Sequence, residues 1–324
     1  PTGYKALNTY NLPDPTIDDP STHFDTKLYT GNGGTQQITY GYQPDLIFGK
    51  PREATTGGGW NWVDSVRGGD KYLIGNNNTD ENSFTGAYGV TFNSTGTSLV
   101  DVAGGDWGLN GNYGGTYVGN GGYVHYGFKA GGSSTVTRTD GSIDSEVSAN
   151  PSAGFSIVTY TGVDNSTPKS FGHSLNSEPK FVIIKNRTDA EDWAVYHASV
   201  GNTKYLQLNE TTAATDDSGY WNDTSPTTTV VTVNNSNDVQ RISRDYLALC
   251  WSEVEGYSKF GTYEGGSSAF IWCGFKPKYL LIKCSSDAGQ EWVILDSARS
   301  PINVVDDPLY AQNANDEATD STRD

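Results

Sequence analysis

The chain has 324 residues, enough for two ordinary domains or for one and part of another. It carries 38 Asp+Glu against 21 Lys+Arg, a formal net charge of -17, which opposes binding to a phosphate backbone and excludes nucleic acid as an expected partner. With 39 Gly, 20 Tyr and 8 Trp but only 18% charged residues, it reads as many short strands joined by tight polar turns, not as a disordered chain.

Residues 1–26 hold Pro13, Pro15 and Pro20 among polar residues, and the composition predicts an extended N-terminal arm. From there the chain repeats itself. KLYTGNG at 27–33 leads to GYQPDLIFGK at 41–50, WNWVDSVRG at 60–68 and YLIGN at 72–76, then to GVTFN at 89–93 and YVHYGFKAG at 123–131. Residues 131–155 are rich in Gly, Ser and Thr and predict a link with one irregular strand. The phrases then return as IVTYTGVD at 157–164, LNSEPKFVIIK at 175–185, WAVYHASVG at 193–201, YLQLN at 205–209, VVTVN at 230–234 and YLALCWSEV at 246–254. A third copy follows almost without spacer: KFGTYEGG at 259–266, GFKPKYLLIK at 274–283, WVILDSARS at 292–300 and LYAQN at 309–313. It stops before the two late strands. The predicted organisation is an arm at 1–26, a first module at 27–130, a link at 131–155, a second module at 156–258 and a partial third at 259–324.

The local pattern is β throughout. LIFGK, FVIIK and YLLIK are short apolar runs, each introduced by a proline, which costs no ladder hydrogen bond at the start of a strand. No stretch keeps a 3.6-residue apolar stripe for long, so little helix is expected. Strands of this length between Gly/Asn/Ser/Thr turns predict an all-β fold of tandem antiparallel β-sandwich modules, with jelly-roll connectivity. FVIIK and YLLIK are apolar on both faces and are predicted to be central strands, whereas Trp193, Val195 and His197 share one face of theirs.

A half-sandwich would leave YLLIK and WVILD uncovered. The missing strands are expected from another copy of the chain, from another protein or from polypeptide beyond Asp324, with a symmetric homo-oligomer, a trimer by preference, as the expected state. There is no apolar stretch of transmembrane-helix length, so no membrane insertion is expected. The chain starts at Pro1 and contains no Met, as a processed or partial product would. Cys250, Cys273 and Cys284 lie in apolar stretches and are predicted to be small buried hydrophobes without a disulfide framework.

The recurring YTG, the G-F/Y-x-P phrase with its Lys-ended strand, and W-x-x-x-D-S-x-R-G resemble modules in tail and fibre-associated proteins of marine tailed bacteriophages. The last motif is carried by Trp60, Asp64, Ser65, Arg67 and Gly68. The third repeat keeps Trp292, Asp296, Ser297 and Arg299 but places Ser300 at the glycine. The second departs most, with His197, Ala198, Val200 and Gly201 after Trp193. The resemblance covers residues 27–324 apart from the 131–155 link. It implies concanavalin-like sandwiches on a virion appendage, in an extracellular setting, with other virion proteins and a host-surface glycan as partners.

Asp64 with Arg67, and Asp296 with Arg299, have the spacing for an aspartate that accepts turn N–H groups while the arginine reaches back to it. That role is structural. Ser65 and Ser297 lack the context of a nucleophile. Glycine-framed aromatics in GWNW and GGDWGLNGNYGG make Trp60, Trp107 and Tyr113 the candidates for stacking on a sugar or a neighbouring subunit, with local packing as the plainer alternative. Glu253 and Glu255 are the only acid pair with spacing suited to glycoside hydrolysis, and they are neighbours on one edge. His23, His125, His173 and His197 are scattered, and the Asp216, Asp217, Asp223 and Asp306, Asp307 groups match no calcium loop, so neither metal nor cofactor is expected. The expectation is therefore a non-enzymatic structural or adhesive tail-fibre component. A carbohydrate-binding lectin, a capsid decoration protein and a glycoside hydrolase stand as alternatives.

Overall fold

Each proline of the repeated phrase stands two residues ahead of a strand, and a left-handed residue stands three before it: Gly41 at φ 86°, Asn176 at φ 59° and Gly274 at φ 84°. Gly and Asn are the residues that take this conformation most readily. The chain is thus turned the same way into the same strand three times. The computed structural model describes residues 16–52, 59–86, 88–101, 109–111, 122–266, 269–302 and 305–318.

The first repeat forms β1 (Phe24–Thr30), β2 (Thr35–Thr39), β3 (Leu46–Pro51), β4 (Asn61–Asp64), β5 (Lys71–Ile74), β6 (Asn82–Ser83), β7 (Tyr88–Asn93), β8 (Gly96–Asp101) and β9 (Gly122–Phe128). Next come β10 (Val136–Arg138), β11 (Ser145–Asn150), β12 (Phe155–Thr161), β13 (Lys169–Gly172), β14 (Phe181–Asn186), β15 (Trp193–His197), β16 (Lys204–Gln207) and β17 (Thr215–Asp216). A four-residue helix, α1 (Ser218–Trp221), is capped by Asp217 and precedes β18 (Val230–Val233) and β19 (Asp245–Trp251). The third repeat adds β20 (Tyr279–Lys283), β21 (Trp292–Asp296) and β22 (Leu309–Tyr310). Among the described residues the fold is essentially all-β, and the strands named above pair antiparallel throughout.

Two large sheets run through the same repeat positions in the same order. The first is β1-β9-β3-β4-β5-β6; the second contains β12-β19-β14-β15-β16-β17. Among the described residues the third repeat forms β20-β21-β22, the counterpart of β3-β4-β5. Smaller sheets, β2-β8-β7 and β13-β18, accompany the first two repeats.

Residues 131–155 differ from the predicted link. They supply two strands, β10 and β11, that extend the second sheet beyond β12. The reason is visible in β11, where Ser145, Val147, Ser148 and Asn150 are buried. YLLIK also differs from prediction: among the described residues β20 pairs with β21 alone and stands at the sheet edge. An apolar run fits a central strand only where a second strand is present to flank it, as β9 flanks β3 and β19 flanks β14. The cysteines divide for the same reason. Cys250 is buried in β19, whereas Cys273 and Cys284 beside β20 are partly exposed.

Period-two alternation decides where the core lies. Leu46 and Phe48 of β3, Phe181 and Ile183 of β14, and Trp292 and Ile294 of β21 belong to one buried cluster shared by all three repeats. The residues between them lie on the opposite face of each sheet. Ile47 and Val63 join Ile38, Val90 and Leu99 of the small first sheet. Val182 and Ile184 join Phe171, Val231 and Val233 of the second. Aromatic contacts tie the shared cluster across repeats, with Trp62 and Trp193 ring centroids 5.3 Å apart and Tyr126 and Tyr279 4.9 Å apart.

Candidate functional site

The repeated tryptophans fix how the repeats meet. Each is buried with its backbone N–H bonded to a side-chain amide oxygen: Trp60 to Asn76, Trp193 to Asn209 and Trp292 to Gln312. Each indole N–H then crosses to a carbonyl at the matching position of another repeat. Trp60 donates to Tyr310 O at 2.8 Å, Trp193 to Ile74 O at 3.1 Å and Trp292 to Gln207 O at 2.8 Å. First to third, second to first, third to second: the bonds close a ring within one chain.

The lysines that end the repeated strands follow the same cycle. Lys50 donates to Asn315 O, Lys185 to Asn78 O at 3.2 Å, and Lys283 to Thr211 O at 3.3 Å. Burial pulls Lys50 and Lys185 down to about 8, and it lowers Lys283 as well. A return backbone bond completes each joint. Glu81 N–H donates to Arg187 O at 3.0 Å, Ala214 N–H to Ser285 O at 2.9 Å and Glu317 N–H to Arg52 O at 2.8 Å.

Charge is added at two of these joints. Asp64 Oδ1 accepts the N–H of Val66 at 3.1 Å and of Arg67 at 2.8 Å, and its other oxygen takes Arg67 Nε. The guanidinium goes on to Trp62 O at 3.1 Å and to Glu81 at 2.9 Å, and Arg187 from the second repeat reaches Glu81 at 2.8 Å. Burial opposes the Glu81 charge, but the two arginines hold its carboxyl below the usual range. The third repeat repeats this against the first. Asp296 binds the N–H of Ala298 and Arg299 and the guanidinium of Arg299, which continues to Ile294 O and Glu317, while Arg52 pairs with Glu317. Burial works against the Arg299 charge, yet Tyr126, Asp296 and Glu317 hold its pKa raised.

At the second-to-third joint the corresponding positions are Val200, Ala214 and Ser285, so the same backbone bond forms there without the arginine and glutamate side chains. The third repeat also leaves apolar surface open. Leu280 is 39% exposed where Ile47 and Val182 are fully buried, and Phe270 and Trp272 are 88% and 76% exposed.

The chain belongs to the DUF7483 family. The family, described as a domain of unknown function, matches residues 19–324 and so spans all three repeats. No curated protein and no solved structure matches the chain.

In this DUF7483 chain the other residues singled out from sequence do not converge. Trp60 stands in the shared core at 1% exposure, its indole N–H engaged across a joint. Trp107 and Tyr113 lie outside the described residues. Glu253 follows β19 and accepts Lys259 Nζ at 2.8 Å and Phe260 N–H at 3.3 Å, while Glu255 stands in the following turn. Asp217 caps α1, Asp223 holds a left-handed φ of 50°, and Asp307 accepts Ser300 Oγ at 2.6 Å. His125 is buried against Tyr29 and pushed down to about 3 by burial, so it is neutral at physiological pH. Among the described residues no group of three or more His, Cys, Asp or Glu has a metal-site arrangement.

The residues missed from sequence are the distant partners, Glu81 with Arg187 and Glu317 with Arg52. One signal was present: an arginine two residues after the strand lysine in Lys50-Pro51-Arg52 and Lys185-Asn186-Arg187, replaced by serine in Lys283-Cys284-Ser285.

Proposed function

We propose that this chain is a non-enzymatic structural or adhesive component of a tailed-phage particle. In this reading it consists of three copies of one antiparallel β-sandwich of concanavalin-like, jelly-roll type, the third copy partial. One observation carries the proposal: the side chains that recur in the repeat, Trp, Lys and the Asp–Arg pairs, are directed into the joints between repeats. Recurrence there serves rigidity. Ionisable groups engaged in buried ion pairs with all their partners inside the chain are placed to hold a body together, not to meet a substrate.

The virion setting rests on the likeness of the repeat motifs to those of phage tail and fibre-associated proteins. A rigid, acidic β body with apolar surface open at one end suits a part that docks on other virion proteins. Immunogold labelling of intact particles from the phage that encodes the chain tests the placement. Label on a fibre or tail appendage is expected, and label over the head would favour a capsid decoration protein. If particles carry no label and the purified chain binds a glycan in a manner lost on Trp107→Ala or Tyr113→Ala, the lectin reading replaces this one. Glycan hydrolysis lost on Glu253→Gln would replace both.

A further inference from the structure

We propose that Asp238 is a proton-operated latch: one proton taken up on its carboxyl in mild acid tightens the second repeat, and its loss toward neutral pH loosens it. The inference stands on side-chain geometry and is independent of where the protein resides.

Asp238 lies in the turn between β18 and β19 and is 6% exposed. Its carboxyl ties that turn to two segments distant in sequence. Oδ2 accepts the Tyr220 hydroxyl of α1 at 2.6 Å, and Oδ1 accepts the Asp192 N–H at 3.2 Å. Neighbouring bonds dock the turn on the same segments. Asn234 N–H donates to Tyr220 O and Ser236 N–H to Gly219 O, both at 2.8 Å, and the Asn186 side-chain amide donates to Asn237 O at 3.2 Å. Asp192 stands directly before Trp193, the tryptophan that crosses to the first repeat. Its carboxylate holds the side-chain amides of Gln207 and Asn209, both at 2.7 Å, and Asn209 accepts the Trp193 N–H at 2.9 Å. The latch thus bears on the joint with the first repeat.

The surroundings disfavour a charge on this carboxyl. Asp192 and Glu191 face it from the turn before β15, Tyr220 from α1, and Tyr246 from β19 with Asp189 and Arg241 beyond it. Lys185 approaches from the end of β14, but its ammonium is committed to Glu191 O at 2.6 Å and Asn78 O at 3.2 Å. Among the described residues no ion pair engages Asp238. A buried carboxyl beside like charges and without a paired cation holds its proton to higher pH than usual. Burial first, then Asp192 and Glu191, push Asp238 up to about 6 against the pull of its two hydrogen bonds. Glu81, equally enclosed in a joint, moves the other way because two arginines reach it.

The neutral acid need lose no contact. The Tyr220 hydroxyl rotates to accept the new O–H across the same 2.6 Å, with Ser236 beside it for its own proton. Because the folded value of about 6 lies above the ordinary 3.8, this contribution to stability is complete below 3.8 and is lost as pH rises through 6.

The test compares urea unfolding of the purified chain and of its Asp238→Asn variant between pH 7.5 and 4.5. The comparison is needed because burial holds His125 at about 3 and His173 at about 4, which weakens both chains alike as the pH falls through this window. Relative to the variant, the parent's unfolding constant is expected to fall about twentyfold from pH 7.5 to 4.5, with most of the change below pH 6. An unchanged ratio overturns the inference. If the variant does not fold, the Asp238 carboxyl carbon is titrated by NMR in the parent and in Asp192→Asn. A parent midpoint near 6, lowered when the neighbouring charge is removed, supports the latch. A parent midpoint at the ordinary 3.8, or one that Asp192→Asn leaves unmoved, overturns it.

Discussion

The first-to-second and second-to-third joints share one backbone plan and differ in their side chains. Both have an indole N–H crossing to a carbonyl, a lysine crossing beside it and a backbone amide returning. At the first, Arg67, Glu81, Arg187 and Asp64 surround that return bond; at the second, Val200, Ala214 and Ser285 do. Fully buried ions need complete pairing, since each carries a desolvation cost of several kcal/mol that only its partners offset. Backbone and indole bonds therefore define the ring, and the charged sets make two of its joints intolerant of partial change. The third repeat, whose own strands are fewest, has one joint of each kind.

The largest expected effect comes from breaking a charged set halfway. Arg67→Ala leaves Asp64 and Glu81 buried with Arg187 still paired to Glu81, and Arg299→Ala leaves Asp296 and Glu317 with Arg52 still paired to Glu317. Each should cost about 3–5 kcal/mol in urea unfolding. Val200→Ala, at the matching uncharged position, should cost about 1 kcal/mol. Equal losses at the three sites would remove the distinction between joints.

The indole bonds should behave alike instead. Phenylalanine in place of Trp60, Trp193 or Trp292 removes the crossing bond and leaves its carbonyl only the longer turn bond from Asn313, Asn77 or Glu210 N–H, a loss of roughly 0.5–1.5 kcal/mol at each site. If only the charged joints respond, the ring is not held by its common frame.

A pH series separates the lysines. Lys50 and Lys185 fall to about 8 in the folded chain from 10.5, chiefly through burial. A base depressed on folding binds fewer protons than the unfolded chain between those values, so its contribution makes stability rise with pH from about 8 to 10.5 and stay level below 8. Lys185→Met should flatten that rise relative to the parent by up to about 1.4 kcal/mol per pH unit, the equivalent of one proton. Lys283→Met, at the uncharged joint and with its pKa lowered through burial in the same direction, should flatten it less.

The smallest effect is a gain of coupling. Ala214→Glu with Ser285→Arg places at the third joint the pair found at the other two, and a double-mutant cycle should return about 0.5–1 kcal/mol of favourable interaction. No coupling would mean that the backbone there differs from its counterparts.

Much of this was legible in the chain. The proline, lysine and tryptophan of each repeat mark the same strands, and the all-β class follows from run length and turn residues. Asp64 and Asp296 were readable as turn acceptors because their partners are two and three residues away. Their arginines' second partners were not, because Glu81 and Glu317 lie in irregular polar stretches and are brought in by the return backbone bonds. Alternation in FVIIK distinguishes two faces but cannot say that one packs on the second repeat's small sheet and the other on a core shared with both other repeats. YLLIK shows the limit most clearly. An apolar run records what a strand can bury, and a flanking strand decides whether it does.

Native-state hydrogen exchange at three equivalent amides tests the ring and its unequal joints most directly. The N–H groups of Glu81, Ala214 and Glu317 make the same backbone bond, to Arg187, Ser285 and Arg52 respectively. The account predicts that all three are protected and that Ala214 opens at the lowest free energy, with Glu81 and Glu317 closer to global unfolding. Rapid exchange at all three would mean that the repeats do not close on one another. Ala214 protected as well as or better than Glu81 and Glu317 would contradict the role given to the charged sets.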